Sequence, residues 1–228
     1  MYISVAIDGP SGAGKSSISK KVANELGFIY VDTGALYRAV GYNALNNGVD
    51  LENDDAIADS LKGLEISFKC SNDGQRVMIG QTDVSELIRT NEVSMAASRV
   101  SAVPKVRAFL FDMQQKIAQT NNIIMDGRDI GTVVLPNATV KVFLTADVEE
   151  RAKRRYIENQ QKGISGTYEE VLEDMKRRDY NDTHREIAPL KMADDAVLVN
   201  TTGNEFDQSV KLLSDTIKSE LRKKNYEY

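Results

Sequence analysis

Apolar residues along the chain fall into two rhythms. Short runs at 3–7, 28–31, 123–125, 140–144 and 196–199, rich in Val and Ile, have the length and composition of buried strands. Residues 16–26, 35–46, 54–62, 92–102, 104–119, 148–161, 168–180 and 206–222 carry apolar positions at helical spacing. Gly27 stands where a glycine closes the first of these helices, Asn47-Gly48 end the second, and Pro104 opens the fifth. Strands alternating with helices predict an α/β fold, a doubly wound five-stranded parallel sheet. One stretch breaks the alternation. Residues 64–69 and 75–79 alternate in polarity around Asn72-Asp73-Gly74, which reads as an antiparallel hairpin. Residues 38–98 are therefore expected to be an insertion within a single domain spanning 1–228. A short glycine-bounded break lies at 163–166, and the last six residues read as a frayed end.

Composition narrows the function classes. With 41% hydrophobic residues in 228, the chain can build a real core. No run approaches the roughly 18 apolar residues of a membrane span, and the first residues lack the basic region of a signal peptide. A cytoplasmic protein with no membrane partner is expected. Cys70 is the only cysteine, which excludes an internal disulfide and suits a reducing compartment. His184 is the only histidine, so no Cys/His zinc site can form, and it reads as a surface residue. Lys and Arg number 29 against 34 Asp and Glu, net −5, which argues against a nucleic-acid partner. The charge is uneven: residues 151–185 hold nine basic and seven acidic residues, leaving 20 against 27 elsewhere. That basic stretch is a solvated helix face or a local anion site.

The chemistry starts at Gly9-Pro10-Ser11-Gly12-Ala13-Gly14-Lys15-Ser16, a complete G-x-x-x-x-G-K-S between a predicted strand and a predicted helix. Its glycines let backbone N–H groups turn inward around phosphate oxygens, and the helix start adds unpaired N–H groups and a positive dipole end. Lys15 brings a point charge toward the β- and γ-phosphates, and Ser16 is placed to ligate Mg²⁺. Nucleoside triphosphate binding follows, but GTPase switches, ATPases and small-molecule kinases all share this loop.

Arginines discriminate among them. Asp126-Gly127-Arg128-Asp129 follows the strand at 123–125, and the carboxyl end of a strand in such a sheet opens onto the ligand crevice. Asp126 is placed to hold Mg²⁺ through its water shell, with Arg128 facing the same crevice. Asp32-Thr33-Gly34-Ala35-Leu36-Tyr37-Arg38 leaves the second strand in the same way, and Tyr37 reads as a packing residue. Arg107, Arg178 and Arg185 complete the set. Transfer between a phosphate and a triphosphate demands screening of their repulsion, and planar guanidinium groups suit phosphate oxygens. An acceptor phosphate oxygen is already anionic, so no general base is required.

These segments, with Ala96-Ala97-Ser98, Asp129-Ile130-Gly131-Thr132-Val133-Val134 and residues 178–189, resemble the bacterial cytidylate kinases of the nucleoside monophosphate kinase group. The resemblance runs in family order over nearly the whole chain. It implies transfer of the γ-phosphoryl group of ATP to CMP or dCMP with Mg²⁺, by a monomer. It implies that Gly9 to Ser17 hold ATP. Thr33, Arg38, Arg128 and Arg185 would hold the acceptor phosphate, Ser98, Arg107 and Asp129 would read cytosine, and Arg178 and Asp182 would contact the sugar. Residues 38–98 would be the monophosphate-binding insertion. Residues 151–166, with Arg154 and Arg155, would be a lid over the triphosphate, and Lys15, Asp126, Arg128, Arg154 and Arg155 would serve the transfer. Ser16-Ser17 leaves open which hydroxyl meets the metal. Another small P-loop kinase, or a P-loop ATPase stimulated by nucleic acid, are the competing readings.

Overall fold

The computed structural model describes residues 2–71, 74–161 and 163–226, so the turn residues Asn72-Asp73, Lys162 of the expected lid and the last two residues lie outside it. In chain order the elements are β1 (Ser4–Asp8), α1 (Lys15–Leu26), β2 (Ile29–Asp32), α2 (Thr33–Asn46), α3 (Asp54–Asp59), β3 (Ile66–Ser71), β4 (Gly74–Ile79) and β5 (Thr82–Asp83). A 3₁₀ turn (Leu87–Arg89), α4 (Asn91–Val100), α5 (Pro104–Thr120), β6 (Ile123–Gly127) and a π-helical turn (Ile130–Val134) follow. The chain closes with β7 (Val140–Thr145), α6 (Val148–Gln161), α7 (Tyr168–His184), β8 (Val197–Asn200) and α8 (Phe206–Lys223).

Local chemistry sets the ends. Gly14 (φ +83°) starts α1 and Gly27 (φ +69°) ends it, its N–H returning to Ala23 and Asn24. Asp32 accepts from the Ala35 N–H, and this cap starts α2 at Thr33, ahead of the expected residue 35. Thr167 and Glu170 form a reciprocal capping box at the start of α7, which runs on to His184, past the expected residue 180.

The chain divides into two compact units, residues 1–30 with 118–228, and residues 31–117. The first holds a five-stranded sheet in the order β2-β6-β1-β7-β8, with β1 parallel to β6 and β7, and β7 parallel to β8. This is the doubly wound α/β fold. Ile3, Val5 and Ile7 alternate onto one face, beside Val140, Val142 and Leu144, and pack on Ile18 and Val22 of α1 and on Leu213 and Ile217 of α8. Burying each such side chain contributes ~1.5–3 kcal/mol.

The second unit contains residues 38–98 and the expected hairpin, which is one part of a three-stranded antiparallel sheet, β3-β4-β5. The third strand is only two residues long, too short for a periodic signal, with Met78 opposite Asp83. Its core gathers Leu36 and Val40 of α2 with Ile57, Val93, Val100 and Leu110. α2 and α4 cross at Gly41, where a Cβ would come within 2.9 Å of the Ala97 backbone nitrogen and 3.1 Å of the Ala96 Cβ. Ala96 and Ala97 thus serve helix packing.

Gly41→Val forces that crossing apart. Overpacking of this kind costs ~1–3 kcal/mol, so urea unfolding should show a lower midpoint with an unchanged slope. A wild-type midpoint would show that the crossing tolerates side-chain volume.

Candidate active site

The loop between β1 and α1 is shaped by backbone that only glycine can supply. Gly9 has φ +151°, and a Cβ there would lie 1.9 Å from the Leu144 carbonyl oxygen. Gly12 (φ +72°) and Gly14 (φ +83°) are also left-handed. Lys15 is buried, and its Nζ donates to the carbonyls of Gly9 and Pro10, both at 2.7 Å. Burial, and then the Arg128 charge, lower the Lys15 ammonium to about 7, against the opposing pull of Asp126, Asp182 and Asp8.

Asp8, the last residue of β1, is buried and accepts from the N–H groups of Ile130 and Gly131, both at 2.7 Å. Burial raises its carboxyl to about 6; those two donors oppose the rise and the Asp129 charge adds to it. The π-helical turn is thereby tied to the strand that launches the loop.

At the end of β6, Asp126 accepts from Ser16 Oγ at 2.9 Å through one oxygen and from Tyr30 OH at 2.9 Å through the other. Of the two neighbouring hydroxyls, Ser16 is the one that meets this carboxylate. One hydroxyl and one carboxylate are hard donors. They fit a Mg²⁺ ion that keeps part of its water shell and takes phosphate oxygens. Among the described residues no group of three or more His, Cys, Asp or Glu could hold a metal by itself.

Arg128 donates to Asp182 at 2.7 Å and to the Gly127 carbonyl at 3.3 Å. Burial works to lower this guanidinium, but Asp182 foremost, with Asp126 and Asp179, holds it above its usual value. Arg185 donates to Asp129 at 3.2 Å and to the Ala188 carbonyl at 2.7 Å, both side chains of that pair being buried. Arg178 is lowered by burial and then by Arg155 and Arg128, with Asp174 and Asp182 opposing. Arg178 and Asp182 fall at i and i+4 of α7, on one face, and Arg185 follows at its C-cap.

Arg155 pairs with Glu158 at 3.0 Å. Arg154 donates to Glu150 at 3.2 Å and to the carbonyls of Thr201 at 2.9 Å and Asn204 at 3.4 Å, so it fastens the segment after β8.

In the second unit, Thr33 is buried at the start of α2, and Arg38 pairs with Asp32 at 2.8 Å. Gly34 leaves the space for this pair, since a Cβ would lie 3.1 Å from Arg38 and from Asp32. Arg107 lies 5.9 Å from the Tyr37 ring centroid, a cation–π contact that gives Tyr37 its packing role. Ser98 is half-buried on α4.

A family profile described as Cytidylate kinase matches residues 5–219. The chain belongs to the cytidylate kinase family. Relatives named cytidylate kinase include those of Exiguobacterium sp., 46% identical over 95% of this chain and 98% of that protein, and Shouchella clausii, 47% identical over 96% and 97%. That of Caldicellulosiruptor bescii is 49% identical over 90% and 91%. An uncharacterized protein from Eubacterium ventriosum shares the fold, with TM-score 0.52 at 14% identity over 95% of this chain and 99% of that one. The chain is an ATP-dependent kinase. Among its described residues no helix is long and apolar enough to cross a membrane.

Four residues that no motif singles out also bond to the loop, to Asp126 or to the turn after Asp129: Asp8, Tyr30, Arg151 and Asp179. A carboxylate closing an otherwise apolar strand is the signal that Asp8 offered. Tyr30 closes no motif, and its bond to Asp126 spans 96 positions.

Asp8 makes stability pH-dependent. Its carboxyl protonates at about 6 when folded against 3.8 otherwise. Between those values the folded state holds the extra proton, and stability falls as pH rises. Relative to Asp8→Asn, which cannot ionise, the wild type should lose up to ~3 kcal/mol from pH ~4 to ~6 and change little above ~7. Denaturant unfolding across pH measures this; a flat difference would show that Asp8 ionises as it does in water.

Proposed function

We propose that the loop at Gly9–Ser16 holds the triphosphate of ATP and that the residues around Arg128 meet the acceptor phosphate of CMP or dCMP. The kinase moves the γ-phosphoryl group of ATP to that acceptor, giving CDP or dCDP and ADP. The observation that carries the assignment of roles is Lys15 fixed in the loop beside the Ser16–Asp126 pair.

An anionic oxygen of the acceptor forms the new bond to the γ-phosphorus, and the bond to the bridging oxygen breaks toward ADP. Both partners are anions, so positive charge and alignment are the main requirements. Lys15 is assigned to the β- and γ-phosphates, with the loop from Gly9 to Ser17 around them. Ser16 and Asp126 would hold Mg²⁺, which supplies charge neutralisation on the triphosphate. Thr33, Arg38, Arg128 and Arg185 are assigned to the acceptor phosphate. Ser98, Arg107 and Asp129 are assigned to cytosine, and Arg178 and Asp182 to the sugar. Cytosine offers an N4 donor and an N3 acceptor, which suit a carboxylate and a guanidinium; uracil reverses both. Arg155, held on α6 within the field of Arg178, supports the reading of residues 151–166 as a lid, with Arg154 at its base. The protein would act as a cytoplasmic monomer on small molecules without nucleic acid, in keeping with its net charge of −5 and single cysteine.

ADP formation with CMP, dCMP, UMP and AMP as acceptors tests the reading. CMP and dCMP should be used, with UMP and AMP lower in kcat/KM by roughly 10⁴, because each mismatch leaves buried polar groups unpaired. Comparable use of all four would overturn the base assignment. Lys15→Met should stay folded and lose ~10²–10³ in turnover. Near-normal turnover would remove Lys15 from the transfer, and insensitivity to chelation of Mg²⁺ would remove the metal.

A further inference from the structure

The tip of the phosphate loop is gripped from outside by side chains of α6 and α7. The Ser11 N–H donates to Asp179 Oδ1 at 3.3 Å, and the Ser11 carbonyl accepts from Arg151 Nη1 at 2.8 Å. Arg151 Nη2 pairs with Asp179 Oδ2 at 2.7 Å, and its Nε donates to the Ala146 carbonyl at 2.8 Å. All three guanidinium nitrogens are thus used by a side chain that is only 5% exposed. Next in the loop, a Cβ on Gly12 would lie 2.7 Å from Met175 Cε and 3.4 Å from Arg151 Cβ. Two hydrogen bonds therefore fix Ser11 to two helices distant in sequence, and Gly12 leaves the room that Met175 and Arg151 take up beside it.

Burying such a pair does little for stability, because desolvation offsets the attraction. Its geometry is what it contributes. α6 also carries Arg155, one turn beyond Arg151. Gripping Ser11 from that helix sets the distance between the loop's N–H groups and that guanidinium group. A polyphosphate bound to both needs that distance fixed, since small displacements of binding groups are costly.

We propose that Arg151 and Asp179 are positioning residues for the ATP side of the reaction, acting through Ser11 on the conformation of the phosphate loop. The inference rests on the assignment of ATP to that loop. Lysine at 151 keeps the charge but cannot reach three diverging acceptors, and asparagine at 179 keeps an acceptor for the Ser11 N–H but loses the ion pair.

ATP affinity by calorimetry and both KM values decide it, using Arg151→Lys and Asp179→Asn. Both variants should raise the Kd and KM for ATP about tenfold and leave KM for CMP within about twofold; Asp179→Asn, which leaves the buried Arg151 charge without its carboxylate, should also unfold at a lower temperature. In the double variant, Arg151→Lys with Asp179→Asn, the ATP effect should fall well short of the product of the two single effects, because the two side chains hold the same loop residue and each other. ATP affinity within about twofold of wild type in the conservative variants, or equal shifts in both KM values, would overturn the proposal. Should Arg151→Lys not fold, Asp179→Asn decides alone. Failure of the underlying assignment shows separately, as wild-type protein that neither binds ATP nor phosphorylates CMP.

Discussion

Gathering cations where polyphosphates bind is opposed by their mutual repulsion and by the cost of taking each from water. The first unit meets this constraint with carboxylates matched to individual cations. Arg128 has Asp182, Arg185 has Asp129, and Arg151 has Asp179. Lys15 has two carbonyls and lies in the field of Asp126, Asp182 and Asp8. A protein of net charge −5 can therefore hold a dense set of cations, because the acids that outnumber them overall are partly spent in holding them in place.

Matching by position explains why the pairs span so much sequence. α7 supplies acids to cations of other elements: Asp179 reaches Arg151 on α6, and Asp182 reaches Arg128 just past β6. The traffic also runs the other way, since Arg185, at the C-cap of α7, reaches Asp129. Asp8 anchors the same region from below, taking two backbone N–H groups of the turn that begins at Ile130. That turn follows directly on Asp129, so the end of β1 helps set where Asp129 meets Arg185.

Local signals in the sequence were legible where the physics is local. The phosphate loop, the strand that carries Asp126 and the hairpin depend on neighbours a few residues away, and each appears, with the hairpin's first strand at 66–71 instead of 64–69. The third strand of the small sheet and the π-helical turn carry no periodic signal at their length. The clamp on Ser11 was hidden for a different reason: its two bonds join residues 140 and 168 positions apart. Arg151 read as the first residue of a mobile segment because its charge, not its burial, is what a sequence displays. Asp32 illustrates the mixed case. Its place before a helix signals a cap, while its pairing with Arg38 emerges only when the first turn of α2 brings the two together.

The two shifted groups beside the loop point the same way. Burial holds the Asp8 carboxyl near 6 and the Lys15 ammonium near 7, so each is pushed toward its neutral form. For Lys15, burial foremost and then the Arg128 charge lower the ammonium, and Asp126, Asp182 and Asp8 oppose them only in part. A triphosphate held by this loop, as proposed, would bring negative charge and favour the ammonium. Whatever binds in this way also stabilises the folded chain by mass action. The carboxylates cannot close that gap themselves without weakening the site: a further acid beside Lys15 would restore the ammonium and repel the phosphate it exists to hold. Lys15 is thus held by carbonyls and by the field of nearby acids, whereas Arg128, Arg151 and Arg185 each have a carboxylate in direct contact.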